Sequence, residues 1–68
     1  MTNTTEFKAM MVRNGYTAEQ LAKEIGMTPQ SLSYKINNKR EFTATEINNV
    51  SKALGLTLEE KEIIFFGG

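Results

Sequence analysis

The side chains with the most evident chemistry lie in a short polar stretch that begins at Pro29. Gln30, Ser33 and Tyr34 are spaced three and four residues apart, so on a helix they share one face. An amide and two hydroxyls at that spacing can each donate and accept hydrogen bonds. The chemistry that they offer is therefore recognition by hydrogen bonding rather than a covalent reaction.

The chain offers little for catalysis or for metal binding. It contains no His and no Cys, so the commonest general base, the strongest nucleophile and the usual zinc ligands are missing. Its densest carboxylates, Glu59, Glu60 and Glu62, are typical of the start of a helix, where negative charge is favourable. We therefore predict no enzymatic activity, no metal site and no other cofactor.

Length and composition favour one small globular domain. The chain has 68 residues, of which 40% are hydrophobic and 24% charged. No apolar run approaches the roughly 18 residues of a membrane span, and the first residues lack the pattern of a signal peptide. We predict a single cytoplasmic domain over residues 1–68, with no membrane contact and too little interior for a small-molecule ligand.

Two short helices with a tight turn between them are predicted to position the polar stretch. Thr17 and Gln20 can form a capping box at the start of the first helix, and Gly26 suits a left-handed residue at its end. Thr28 can cap the second helix, and Pro29 then takes its first position, where a missing N–H has no cost.

The apolar residues of the second helix determine which face points outward. Leu32 and Ile36 lie one helical step apart and are predicted to face the core. The surface that remains on the outside consists of Pro29, Gln30, Ser33, Tyr34 and Asn37, flanked by Ser31 and Lys35.

The two-helix arrangement resembles the helix-turn-helix of the Cro/CI-type (phage-repressor-like) family of DNA-binding proteins. The motif covers about residues 17–38, and the resemblance extends from about Phe7 to Phe66. The family usually has Gly where Asn38 stands, and often an apolar residue where Lys35 stands. The residues that carry the resemblance are Thr17, Leu21, Ala22, Gly26, Leu32 and the exit Asn37-Asn38-Lys39-Arg40.

Three further helices are predicted around the motif. Each opens at a threonine that can serve as a cap, and residues Met1 to Thr4 are expected to fray. The resemblance implies that all the helices pack as an all-α, compact bundle of five short helices, with a lambda-repressor-like fold. The predicted bounds are Thr4 or Thr5 to Asn14-Gly15, Ala44 to Leu54, and Thr57 to Phe65 or Phe66.

The resemblance also implies that the second helix of the motif enters the major groove of double-stranded DNA. Gln30 is the best candidate for a base contact, because its amide can bond bidentately to adenine. The alternatives are that Gln30 is only a solvated helix former and that Tyr34 lies against the protein surface. The residues expected to face the bases are Pro29, Gln30, Ser33 and Tyr34. The residues expected to contact phosphates are Thr17, Ala18, Asn37, Asn38, Lys39, Arg40 and Thr43.

The charge balance is unusual for a nucleic-acid binder. Eight basic and eight acidic residues give a net charge of zero and a pI near 6.2, whereas such proteins are more often basic. The four basic residues Lys35, Lys39, Arg40 and Lys52 nevertheless meet only Glu41 and Glu46 between positions 35 and 52. This distribution predicts a positive face; the alternative is a set of scattered, solvated charges.

The run Ile63-Ile64-Phe65-Phe66 is more apolar than one face of a surface helix requires. We expect one face of it to complete the core and the rest to form a homodimer interface, since family members commonly bind twofold operators as dimers. The alternative is a core that all four residues close, with Gly67-Gly68 as an unstructured end.

These observations predict a small bacterial or phage transcriptional repressor that acts by occupying a DNA operator. It would associate with the nucleoid and bind DNA as a homodimer, without a sensed ligand. The alternative function is a protein–protein interaction module, antirepressor or antitoxin-like, that retains the helix-turn-helix fold; the neutral net charge favours this alternative.

Overall fold

The structure is a computed structural model that describes residues 1–67. In it the chain folds into five short α-helices and a final π-helical turn. Within these residues there is no strand, and none of the helices has the length and apolar character needed to cross a membrane. Gly68, which the alternative above assigns to an unstructured end, lies outside the described residues. The elements are α1 (Thr4–Arg13), α2 (Ala18–Ile25), α3 (Pro29–Ile36), α4 (Ala44–Leu54), α5 (Leu58–Lys61) and the π turn (Glu62–Phe66).

Threonine caps fix the start of α2, α3 and α4, as predicted. The side-chain oxygens of Thr17, Thr28 and Thr43 each accept a hydrogen bond from the backbone N–H three residues further on, at 3.1–3.2 Å. Gly26 and Gly55 end α2 and α4 in the left-handed region, with φ of 76° and 63°. The predicted bounds of these three helices are therefore confirmed.

Thr2, Asn3 and Thr4 are hydrogen-bonded to the rest of the fold, so the expectation that they fray is wrong. The cap of α1 is Asn3, not Thr4 or Thr5, because the Asn3 side chain accepts from the backbone N–H of Glu6 at 3.2 Å. We refer to Thr2–Thr4 as the N-terminal strap. Its backbone N–H at Asn3 donates to the carbonyl of Ile64 at 2.7 Å, which joins the strap to the π turn.

Asn38 holds the strap at the exit of α3. It adopts a left-handed backbone with φ of 64°, where the family usually has Gly. Its Oδ1 accepts from the backbone N–H of Thr2 at 2.7 Å, and its Nδ2 donates to the carbonyl of Thr2 at 2.9 Å. The Thr4 hydroxyl also donates to the carbonyl of Ile36 at 2.7 Å. The end of α3 is therefore tied to the start of the chain by these hydrogen bonds.

The core lies where α2 packs against α3 and α4, and where α1 packs against the π turn. Three aromatic rings join the second pair to the loop before α4: Phe42 stacks on Phe7 at 5.6 Å, and Phe65 meets Phe42 edge-on at 5.3 Å. The buried apolar residues are Phe7, Met10, Met11, Leu21, Ala22, Leu32, Ile36, Ile47, Val50, Leu54, Ile64 and Phe65.

The C-terminal apolar run is divided between core and surface. Ile64 and Phe65 are 1% and 5% exposed, whereas Ile63 and Phe66 are 49% and 60% exposed. Because a π turn holds more residues per turn than an α-helix, two consecutive side chains can face inward together. Ile64 and Phe65, two of the four candidates for a dimer interface, therefore belong to the core, and the alternative in which all four residues close the core is wrong.

Substitution of Asn38 tests whether its side chain clamps the strap. We expect Asn38→Gly to lower the free energy of unfolding by about 1–3 kcal/mol, because two hydrogen bonds to Thr2 are lost. Asn38→Ala should lower the free energy of unfolding by about 1 kcal/mol more, because alanine is also strained in the left-handed backbone conformation. Urea denaturation monitored by circular dichroism measures both values.

Asn49→Ala is the matched control, because Asn49 is exposed on α4. It should change stability by no more than about 0.5 kcal/mol. An Asn38→Gly variant as stable as the original protein would show that the bonds to Thr2 contribute nothing to the folded state.

Candidate nucleic-acid interface

Helix α3 presents one polar face to solvent while its apolar side chains hold it in the core. Leu32 is fully buried and Ile36 is 3% exposed. The opposite surface, which we name the α3 face, combines the residues that sequence reasoning placed outward. It consists of Pro29, Gln30, Ser33, Tyr34 and Asn37, all of them exposed.

Gln30 and Tyr34 form a hydrogen-bonded pair on this face. The Nε2 of Gln30 donates to the Tyr34 hydroxyl at 3.0 Å, one helical turn away. On its other side the Tyr34 ring lies under the Lys39 ammonium, whose nitrogen is 5.7 Å from the ring centroid. Tyr34 is 38% exposed, so its ring is both solvent-accessible and held between two neighbours.

Asn37 and Asn38, both predicted to contact phosphates, make hydrogen bonds within the protein. Asn37 ends α3, and its Nδ2 donates to the carbonyl of Ser33 at 2.9 Å and lies 3.4 Å from the Ser33 hydroxyl. Both polar atoms of the Asn38 side chain are bonded to Thr2. The Asn38 side chain is therefore already used to hold the strap, and its contact with a phosphate stays a prediction.

The positive charge beside the α3 face is smaller than the sequence suggests. The Lys35 ammonium is paired with the Glu46 carboxylate at 2.6 Å, and both side chains are mostly buried. Lys52 lines a surface depression with Glu24 of α2, away from the loop that follows α3. The exposed basic residues of that loop are Lys39 and Arg40, so the electrostatic attraction on this side rests on these two.

Glu46 joins α3 to the start of α4. Burial raises the pKa of this carboxyl, but hydrogen bonds from Lys35 and from the Thr43 backbone outweigh the burial and lower the pKa below its ordinary value. The Thr43 N–H donates to Glu46 Oε1 at 2.9 Å. The start of α4 therefore carries a carboxylate, which makes Thr43 a less suitable phosphate contact than expected.

The start of α2 is better suited to an anion. The Thr17 N–H donates to the neutral Gln20 amide at 3.0 Å, and the Thr17 hydroxyl oxygen accepts from the Gln20 N–H at 3.2 Å. Within residues 1–67 the backbone N–H of Ala18 has no hydrogen-bond acceptor. Because the hydroxyl hydrogen of Thr17 also remains free to donate, this helix start can offer two donors to a phosphate.

Two structural contributors to this surface have no direct signal in the sequence. The strap has no recognisable pattern, and only Asn38, at a position where the family has Gly, hints that a side chain is needed there. The Lys35–Glu46 pair was also missed. Its signal was Lys35 itself, because a lysine at an apolar position of a core-facing helix requires a partner.

These features define a class of protein: an all-α domain in which the second helix of a helix-turn-helix exposes a polar face. A family model described as Helix-turn-helix matches residues 7–61. The chain belongs to this family, in its Cro/CI-type branch of DNA-binding transcription regulators, and has its lambda-repressor-like fold. Searches among curated proteins and among solved structures found no match.

The Lys35–Glu46 pair predicts a pH-dependent stability. The pKa of Glu46 is lower in the folded than in the unfolded chain. The Glu46 carboxylate therefore adds to the free energy of unfolding above the unfolded pKa, and this stabilisation is lost as the pH falls through the folded pKa. We expect Glu46→Gln to be less stable than the original protein at about pH 7 and to approach it at about pH 3. Urea denaturation at the two pH values measures the difference.

Glu41→Gln is the matched control, because Glu41 is an exposed carboxylate of the neighbouring loop and forms no ion pair within residues 1–67. Its effect should be small at both pH values. If Glu46→Gln loses the same free energy of unfolding at both pH values, the ion pair is not the source of the stability.

Proposed function

We propose that the protein is a sequence-specific transcriptional repressor that acts by occupying its DNA operator. The observation that carries this proposal is the α3 face: an exposed polar surface on a helix that Leu32 and Ile36 fix in the core. A helix of this kind fits the major groove, with its first residues against the base edges. Occupancy would exclude the polymerase or a competing regulator from the same DNA.

Within this proposal Gln30 is the principal base reader. It lies in the first turn of α3 and is exposed, so its amide can reach a base edge when the helix enters the groove. Ser33 lies one turn further on and can donate or accept with little discrimination. Pro29 and the ring of Tyr34 would supply apolar contacts, for example with a thymine methyl group.

Phosphate contacts would hold α3 in register. Lys39 and Arg40 would bind the backbone on one side of the motif, and the donors at Thr17 and Ala18 would bind it on the other. With two exposed basic residues beside α3 and a net charge of zero, the electrostatic contribution of one copy is modest. Affinity would therefore depend on helix starts and on a second copy of the chain.

A homodimer on a twofold operator would supply that second copy. The Cα atoms span 25 × 24 × 21 Å, less than the roughly 34 Å between half-sites one helical turn apart. One copy therefore covers one half-site. Ile63 and Phe66 are the exposed members of the C-terminal run and are the residues that we place in the dimer interface.

Substitutions at Gln30 and Lys39 test the two kinds of contact. Gln30→Ala should weaken the free energy of binding to the preferred operator by about 1–3 kcal/mol and relax the sequence preference at one base pair. Lys39→Ala should weaken binding to all sequences about equally and reduce the slope of log affinity against log salt by about 1. Fluorescence anisotropy on matched duplexes at several salt concentrations measures both effects, with the operator obtained by selection from random duplexes.

Lys8→Ala is the control for loss of charge, because Lys8 is exposed on α1, outside the motif. An unchanged operator preference in Gln30→Ala would exclude Gln30 as the base reader. No affinity of the original protein for any duplex at low salt would contradict the proposed function and favour a protein-interaction module.

Phe66→Ala tests the dimer. It should weaken binding to a palindromic operator but leave binding to a single half-site nearly unchanged, because only the contact between copies is lost. Sedimentation of the protein–DNA complexes measures how many copies are bound. A single copy on the palindrome with the original protein, even at high concentration, would contradict the dimer.

The control for this variant is Leu58→Ala, which also removes an exposed apolar side chain. Leu58 lines a depression with Ser51 of α4, whereas Phe66 lines one with Phe42, so the two positions belong to different surfaces. An equal loss of palindrome binding in both variants would show that the effect is not specific to the C-terminal run.

A further inference from the structure

The amide of Gln30 is partly used before any DNA is present. A glutamine amide carries two N–H donors and one carbonyl oxygen. In this protein the Nε2 donates one of its hydrogens to the Tyr34 hydroxyl at 3.0 Å. One N–H and the oxygen Oε1 therefore remain for a base.

That remaining pair matches adenine and does not match guanine. In the major groove adenine presents an acceptor at N7 and a donor at N6, whereas guanine presents two acceptors, N7 and O6. An unrestrained glutamine amide can turn both of its N–H groups toward guanine. With one N–H held by Tyr34, the carbonyl oxygen of Gln30 would face the guanine O6, and two acceptors repel each other.

Tyr34 has contacts of its own beside its bond to Gln30. Its ring lies under the Lys39 ammonium at 5.7 Å, and its carbonyl accepts from the backbone N–H of Lys39 at 2.8 Å. The residue is therefore contacted from the loop after α3, and its hydroxyl reaches back one turn to Gln30.

We infer that Tyr34 is a positioning residue whose hydroxyl makes Gln30 selective for adenine over guanine. The inference rests on the proposed function, since it assumes that Gln30 faces a base. It changes the role of Tyr34 from an independent base contact to the residue that sets the donor and acceptor pattern of Gln30. The specificity of the α3 face then belongs to a pair of side chains and not to Gln30 alone.

The test compares Tyr34→Phe with the original protein on two duplexes. They differ only at the base pair whose preference Gln30→Ala removes, with A·T in one and G·C in the other. We expect Tyr34→Phe to reduce the ratio of the two affinities about fivefold, the effect of one net hydrogen bond. The salt dependence should stay the same, because no charge is lost. The double variant Gln30→Ala, Tyr34→Phe should show no further change in the ratio beyond that of Gln30→Ala.

Tyr16→Phe provides a matched control, because Tyr16 is the other tyrosine of the chain and its hydroxyl donates to Glu24 at 2.5 Å, away from Gln30. It should leave the ratio unchanged. A purely structural role of the Gln30–Tyr34 bond would lower the melting temperature of Tyr34→Phe without altering the ratio, and that result would overturn the inference.

A measurement on the original protein covers the case in which Tyr34→Phe does not fold. In proton–nitrogen spectra, one side-chain N–H of Gln30 should exchange with water more slowly than those of Gln20, whose amide is bonded through its oxygen instead. Equal exchange at both residues would overturn the inference. An A·T preference that Gln30→Ala abolishes but Tyr34→Phe retains would overturn the inference while leaving the proposed function intact. A protein that binds no duplex would overturn both.

Discussion

The burial of Leu32 and Ile36 is the constraint on which the rest of the structure depends. A helix of eight residues is too short to be stable in water by itself, so α3 exists because these two side chains lie in a shared core with Leu21 of α2. The same burial determines which residues of α3 remain outside. One face of α3 therefore stabilises the fold while the opposite face is available for recognition. A change in the orientation of α3 in the core would also change which side chains reach a ligand.

The electrostatic properties of this protein depend on where individual charges lie and not on its net charge. Its net charge is zero, and the one ion pair within residues 1–67 joins Lys35 to Glu46 and so removes a positive charge from the side of α3. What remains are two exposed basic residues after α3 and the donors at the start of α2. A surface of this kind gives weak long-range attraction to a polyanion, so a larger share of affinity has to come from short-range hydrogen bonds and apolar contact.

The sequence predicted the local features of this fold better than the nonlocal ones. Threonine caps and terminal glycines act within a few residues, and the bounds of α2, α3 and α4 agree with them. The Lys35–Glu46 pair and the bonds of Asn38 to Thr2 join residues that no periodicity connects, so they became visible only in the structure. The candidate site follows the same division: the exposure of the α3 face was predicted, whereas the bond from Gln30 to Tyr34 was not.

The N-terminal strap has a consequence for the order in which the fold is completed. Its bonds from Thr2 to Asn38 and from Thr4 to Ile36 close loops of 36 and 32 residues, and the entropy lost in closing long loops is recovered only when their contacts form. The strap is therefore expected to order after the helices and to open before them. Opening would release the exit of α3 and the π turn together. The first residues of the chain thus couple the order of the α3 exit to that of the π turn.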